Sequence, residues 1–354
     1  AWRVVAVGGI ELNDDGFQYQ SVAANALKGR FAQTSIAYYN TELSHGRLPA
    51  PLTTFPAGYP LAIALGMTLG LSSAQAGFAV SLLASLATLI ALDRIARWLR
   101  LRPMGHGALL VAFAINAVAM HYATSVFTEA LFTALCTWAT LHWVVGTHEL
   151  AQGRAAGARL LLGFGLYGAA YSVRYAGLFL ILGALAAPAL EALRRRRAAL
   201  ALRYTWPGLA IVAVVMLRNV GGVGDWKGGN DKSVWNDPWP ILAKTLPNLV
   251  NLAFGSVSRQ ASVVLKFAVP LAAVLLACAI AAYLWRLSRR AAPAAQAGAG
   301  HDGEIESRRF VVYAGLGLLL YVAGIAYVRI TSVTAYDVRM FYPTLPVLLA
   351  LAAL

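Results

Sequence analysis

Asp14 and Asp15 stand side by side in the stretch Glu11-Leu12-Asn13-Asp14-Asp15-Gly16-Phe17-Gln18-Tyr19-Gln20, between an apolar segment and a short amphipathic helix expected over Phe17 to Leu27. Acidic residues at a helix start are favoured as caps and by the helix dipole, but one carboxylate is enough for that. The other is free for chemistry, and a carboxylate at a membrane surface can take a proton from a hydroxyl group. Adjacent side chains at a helix start point in different directions. One acid is therefore expected to face a substrate while its neighbour caps the helix or orients another group.

Three arginines extend the pattern. Arg174 lies in the turn Tyr171-Ser172-Val173-Arg174-Tyr175, Arg218 precedes a run of glycines, and Arg339 follows Asp337. A guanidinium fork suits phosphate and the charge that builds on a phosphate leaving group. Each also has a plainer reading: a snorkelling interface residue for Arg174, a surface ion pair for Arg339 with Asp337. Glu129, near the start of an apolar run, could simply complement a helix N-terminus. Taken together, a carboxylate and several arginines describe glycosyl transfer from a lipid-linked sugar phosphate. A nucleotide sugar fits poorly, because nothing in the chain reads as a Rossmann-type domain to bind it. The alternative is a transporter or flippase for a lipid-linked or anionic substrate, although transporters place such charges near the bilayer midplane.

The elements that must hold these residues are membrane helices. Apolar residues make up 59% of the 354 and charged residues only 12%, with a mean hydropathy of +0.63, the composition of a polytopic membrane protein. The net charge of +14 does not describe a nucleic-acid-binding surface, because the basic residues form short clusters between apolar runs. These are Arg94 to Arg102, Arg154 with Arg159, Arg194 to Arg203, and Arg286 to Arg309. All four read as cytoplasmic by the positive-inside rule. Cys136 and Cys278 fall within apolar runs, and the six histidines lack metal-ligand spacing, so no metal is assigned. No cofactor is called for, and a divalent cation is left open.

Spans are expected near Gln75–Trp98, His106–Met120, Phe127–Val145, Arg159–Ser172, Tyr175–Leu190, Tyr204–Leu217, Val263–Leu284, Phe310–Tyr327 and from Phe341 onward, after a first span that ends near Leu12. Residues 13–74 read as a first extracytoplasmic loop carrying juxtamembrane helices. The apolar piece Leu61 to Leu71 is too short to cross, since a span needs about 20 residues; a crossing there would also put Arg94 to Arg102 on the outside. Residues 218–262 read as a second large outer loop, with mobile backbone at its glycines and an interfacial helix around Ile241 to Ala253. Residues 291–304 read as a flexible cytoplasmic linker. Both chain ends look like the limits of a longer protein.

In these blocks the sequence resembles the GT-C membrane glycosyltransferases, and among them the bacterial relatives of protein O-mannosyltransferases and lipid A aminoarabinose transferases. Asp14 to Tyr19 followed by Ala23 to Gly29 is similar to the family's acidic pair and first juxtamembrane helix. Phe55-Pro56-Ala57-Gly58-Tyr59-Pro60-Leu61 resembles the segment that opens the second. Thr128-Glu129-Ala130-Leu131-Phe132, Val173 to Leu178, Arg218-Asn219, and Asp337-Val338-Arg339-Met340-Phe341-Tyr342-Pro343 resemble later blocks in the same order. The resemblance implies an all-α, GT-C-type transmembrane bundle in the inner membrane. It also implies an inverting transfer from a polyprenyl-phosphate sugar to a glycan, lipid or protein acceptor at the extracytoplasmic face. Asp14 would be the base and Asp15 its helper, with Arg174, Arg218 and Arg339 on the donor phosphate and Glu129, Tyr59, Asp337 and Tyr342 nearby. Asp15 departs from the pattern, in which the second acid is often Glu.

Overall fold

A computed structural model describes residues 14–36, 46–192, 200–228, 235–254, 300–331 and 338–354. The expectations placed on residues 1–13, on the arginine run 194–197, on the span Val263–Leu284, on residues 291–299 and on Asp337 lie outside them.

The described residues form an all-α membrane bundle. In chain order the helices are α1 (Asp14–Ala26), α2 (Gly58–Thr68), α3 (Ser73–Trp98), α4 (Pro103–Ala114), α5 (Ala117–Ala123), α6 (Thr128–Ala151), α7 (Gly157–Val173) and α8 (Gly177–Ala192). They continue as α9 (Trp206–Val223), α10 (Pro238–Phe254), α11 (Gly300–Thr331), the single turn α12 (Val338–Phe341) and α13 (Leu345–Ala352). The described strands, β1 (Gln33–Thr34) and β2 (Ala50–Pro51), pair antiparallel over two residues and tie the ends of the first loop together. Helices α3, α6, α9 and the Ile305–Thr331 part of α11 are long and apolar enough to cross a bilayer. By contrast, α2 has 11 residues, about 16 Å of helix against a hydrocarbon core of about 30 Å. It packs on α1 and α3.

Helix α6 is the axis of the bundle. Its most apolar window is 78% buried, against 22% for α9, and it packs on α3, α7, α8 and α11. A helix buried to that extent has little water to satisfy its polar side chains, and several turn inward on the backbone. Thr137 donates to the carbonyl of Thr133 at 2.7 Å, Thr140 to that of Cys136 at 2.8 Å, and Thr147 to that of Val144 at 2.8 Å. Two indoles fasten α6 sideways: Trp138 donates to the carbonyl of Ala87 on α3 and Trp143 to that of Ala184 on α8, each at 2.9 Å.

Three sequence expectations are corrected by local chemistry. The single span expected over His106–Met120 is two helices bent by 56°. Asn116 causes the break: its side chain accepts the N–H groups of Val118 and Ala119, both at 3.0 Å, and donates to the carbonyl of Leu252 at 2.8 Å. An amide that caps a new helix ends the old one. The second outer loop, expected from residue 218, starts later, because α9 continues to Val223 and closes on Gly224 at φ +75°. Gly222 is therefore helical, and its lack of a side chain serves close approach instead of mobility: a Cβ there would lie 3.1 Å from Thr53 Cγ2. Residues 300–304, read as the end of a flexible linker, already belong to α11. The amphipathic helix expected around Ile241 to Ala253 is α10.

Helices α7 and α9 cross backbone against backbone. A Cβ on Gly168 would lie 2.6 Å from Gly208 Cα, and one on Gly208 would collide with the Phe164 carbonyl oxygen. Small residues at such a crossing let membrane helices approach closely enough for dense packing. Gly208→Val is expected to force α7 and α9 apart and lower stability by about 1–3 kcal/mol, the usual range for overpacking. Gly165→Ala, whose new methyl would sit 3.8 Å from Pro207 Cβ, is expected to leave it unchanged. Thermal unfolding of the purified protein in one detergent compares the two.

Candidate functional site

Polar chemistry gathers at both ends of α6. One end is basic and holds the C-termini of α3 and α6 with the N-termini of α7 and α11. Arg100 pairs with Glu306 at 3.2 Å, Arg159 with Glu149 at 3.1 Å, and Asp93 with Arg97 and with His106, both at 3.0 Å. The other end carries the acidic pair.

Asp14 and Asp15 form the first turn of α1. Their neighbours in the helix decide how they differ. Asp15, Gln18, Tyr19 and Val22 recur at three- and four-residue spacing on the face that α1 buries, where Tyr19 meets the rings of Phe55 and Tyr59 edge-on at 5.4 and 5.2 Å. Asp14 lies off that face and is exposed, with no hydrogen bond or ion pair among the described residues. Asp15 is buried, and its Oδ2 accepts from Arg339 Nη2 at 2.5 Å.

Arg339 comes from α12 and reaches further. Its Nε donates to Glu129 Oε1, and its guanidinium carbon sits 5.1 Å from the centre of the Phe127 ring. Glu129, in the first turn of α6, has no solvent exposure at all. The same oxygen accepts from Arg174 Nη1 at 2.5 Å, and Thr128 Oγ1 donates to the other oxygen at 3.2 Å while accepting from Arg174 at 2.9 Å. Arg174 can do this because the chain between α7 and α8 is extended at that residue, φ −147° and ψ 131°, which turns its side chain back into the bundle. Burial works against charge on Arg174, and the Glu129 carboxylate outweighs it, so the guanidinium is held ionised. Burial likewise pushes the Tyr19 phenol well above its ordinary range, with the Asp15 carboxylate adding to the effect. The result is a connected set of four charges, Asp15, Arg339, Glu129 and Arg174, balanced in sign.

Arg218 sits elsewhere. Its Nη2 donates to the Leu52 carbonyl, while its Nη1 is buried without a hydrogen-bond partner among the described residues. Around it, the Tyr175 hydroxyl donates to the Thr53 carbonyl at 2.6 Å and accepts from the Asn219 amide at 2.9 Å, and Thr53 Oγ1 donates to the Gly228 carbonyl at 2.9 Å. This second cluster adjoins the first through the Arg174–Tyr175 peptide and pins the first loop to the end of α9.

Of the nine residues singled out in the sequence, Asp15, Glu129, Arg174 and Arg339 touch one another, Asp14 stands beside them, and Arg218 belongs to the neighbouring cluster. Tyr59 and Tyr342 are packing residues: Tyr59 is buried with its hydroxyl on the Gly77 carbonyl and Ser81, at 3.2 and 3.1 Å, and Tyr342 is buried against Tyr122. Asp337 lies outside the described residues. The sequence reading missed Thr128 and Phe127 as site residues, although both stand at the start of α6 beside Glu129. It also missed Gln18, which takes a 2.7 Å hydrogen bond from Thr34 and leaves a buried amide nitrogen unused; its position three residues after Asp15 was the available signal. Among the described residues no group of His, Cys, Asp and Glu is arranged to hold a metal.

No family model matches the sequence, and no curated protein matches it. The chain is similar to a solved structure, the crystal structure of ArnT from Cupriavidus metallidurans in the apo state, at 17% identity and a TM-score of 0.52. That match covers 99% of this chain and 59% of ArnT, so the chain spans about three fifths of the length of its structural relative. At that identity the likeness speaks for the fold: the chain has the GT-C-type membrane helix bundle that its sequence blocks implied.

Proposed function

We propose that this protein is an inverting glycosyltransferase that moves a sugar from a polyprenyl-phosphate donor to an acceptor hydroxyl at the extracytoplasmic face of the inner membrane. The acceptor would be an envelope glycan, a lipid or a protein. The observation that carries this reading is the contrast within the acidic pair: Asp14 exposed and unengaged, Asp15 buried and bound to Arg339. A general base must be free to meet its substrate, and its neighbours must be fixed.

In this reading Asp14 takes the proton of the acceptor hydroxyl as that oxygen bonds to the anomeric carbon. The bond from that carbon to the phosphate oxygen breaks on the opposite face, and its electron pair leaves with the lipid phosphate. No separate acid is needed, because the leaving group is already a stable anion. Arg174 and Arg339 are both committed to carboxylates, which makes them orienting groups in the free protein. Arg218, with its unpartnered Nη1, has the donor capacity to meet a phosphate oxygen directly. The basic end of the bundle marks the cytoplasmic side, which supports an outward-facing acidic pair.

The reading is tested by product formation from a polyprenyl-phosphate sugar by purified protein in detergent, where a transporter has no compartments to work between. Asp14→Asn is expected to reduce turnover by about 100-fold or more with donor binding nearly intact. Wild-type turnover in that variant would remove Asp14 as the base. Asp15→Asn is expected to cost less turnover and more stability.

Glu129→Gln should behave differently from both. It removes the carboxylate that two buried guanidinium groups share, and breaking a buried ion pair from one side costs about 3–5 kcal/mol. The expected outcome is a large fall in the unfolding midpoint, and a midpoint within 2 °C or so of wild type would contradict the ion network as described. For topology, Lys28→Cys and Arg102→Cys, both exposed positions, are expected to react with an impermeant thiol reagent from opposite sides of the membrane, α3 being the span between them.

A further inference from the structure

A cavity of about 510 Å³ opens at the basic end of the bundle, far from the acidic pair along α6. On α6 its lining runs from Trp138 to Glu149, about 17 Å of helix. The volume is that of a site for a small organic ligand. Its two ends differ in chemistry. Trp138, Leu141 and Val145 make its apolar part; Trp98, at the end of α3 with its ring 5.9 Å from that of His148, lies toward the charged part, which carries Arg94, Arg154 and Arg159.

The charges at the rim do not cancel. Glu149 is taken by Arg159 at 3.1 Å, and Glu306 by Arg100 at 3.2 Å. The side chains of Arg94 and Arg154 have no counter-charge or hydrogen-bond acceptor among the described residues, and both are exposed. Between rim and interior, His142 is stacked on Trp138 at 5.6 Å and keeps a buried Nδ1 without a hydrogen-bond partner among the described residues. Two unopposed guanidinium groups at the mouth call for an anion. An apolar slot beneath them calls for hydrocarbon.

We propose that this cavity binds an anionic phospholipid from the cytoplasmic leaflet, its phosphate between Arg94 and Arg154 and the start of an acyl chain along Trp138 and Leu141. Guanidinium forks match phosphate oxygens in pairs, and basic pockets between membrane helices on the cytoplasmic side suit such head groups. A free phosphate compound would use the rim and leave the apolar slot empty, which is why the lipid is the favoured source. The proposal does not depend on the glycosyltransferase reading, because it concerns the opposite end of the bundle.

The test is equilibrium binding of short-chain phosphatidylglycerol to the purified full chain in an uncharged detergent, followed by native mass spectrometry. Saturable binding is expected, about tenfold or more tighter than phosphatidylcholine of the same chain length, and not displaced by inorganic phosphate at equal concentration. The double substitution Arg94→Gln with Arg154→Gln is expected to weaken it about tenfold or more. Both residues are exposed and unpartnered, so folding should be unaffected. Leu141→Trp, which fills the apolar part, should weaken binding with the arginines intact, its thermal unfolding midpoint showing whether the fold is kept. Unchanged affinity in the double variant, equal binding of phosphatidylcholine, or displacement by equal inorganic phosphate would each overturn the proposal.

Discussion

One oxygen of Glu129 accepts hydrogen bonds from two arginines that are 45 and 210 residues away in the chain. An ionised carboxylate with no access to water is among the most costly groups a membrane protein can contain unless it is fully paired. Much else at this end of the bundle follows from that requirement. The chain breaks helix between α7 and α8 so that Arg174 can turn inward, and α12 is placed so that Arg339 bridges Glu129 and Asp15. The first turn of α1 is thereby joined to the first turn of α6. The acidic pair is held by electrostatics that a low-dielectric surrounding makes strong.

The rest of α6 serves the same end by being featureless to its neighbours. The hydroxyl groups of Thr137, Thr140 and Thr147 are spent on its own carbonyls and its indoles on adjacent helices, so most of it can be buried. A helix in that position separates two sites of opposite character. The acidic end presents one free carboxylate over a neutralised base; the basic end presents two free guanidinium groups over an apolar slot. Asp14, Arg94 and Arg154, which lack a counter-charge among the described residues, are all exposed.

Much of this was legible in the sequence. Apolar runs and basic clusters gave the membrane class and the helices, because hydropathy depends only on local composition. Asp14-Asp15 announced a helix start, and the ordered blocks pointed to the GT-C-type bundle. What sequence could not give was pairing. Nothing local says that Arg339 pairs with Asp15 and Glu129, or that Arg218 would turn to the Leu52 carbonyl. The break at Asn116 was equally hidden, since an asparagine inside an apolar run reads as a tolerated polar residue until Leu252 supplies its partner. Gly222 was misread for a related reason: a glycine needed for close approach looks the same in sequence as one needed for freedom.

The bond between Asp15 and Arg339 spans 324 residues. At about 5–20 residues per second, ribosomes deliver the second partner roughly 15 to 65 seconds after the first. During that interval the nascent chain can already hold α1 to α8 in the membrane, with Glu129 met by Arg174 and the bond from Arg339 to Asp15 not yet made. The acidic end then lacks one of its guanidinium groups until α12 arrives. Until then a quality-control protease would meet an unbalanced, loosely held first loop. Completion of the site and escape from surveillance become one event, set by a single helical turn near the end of the described chain.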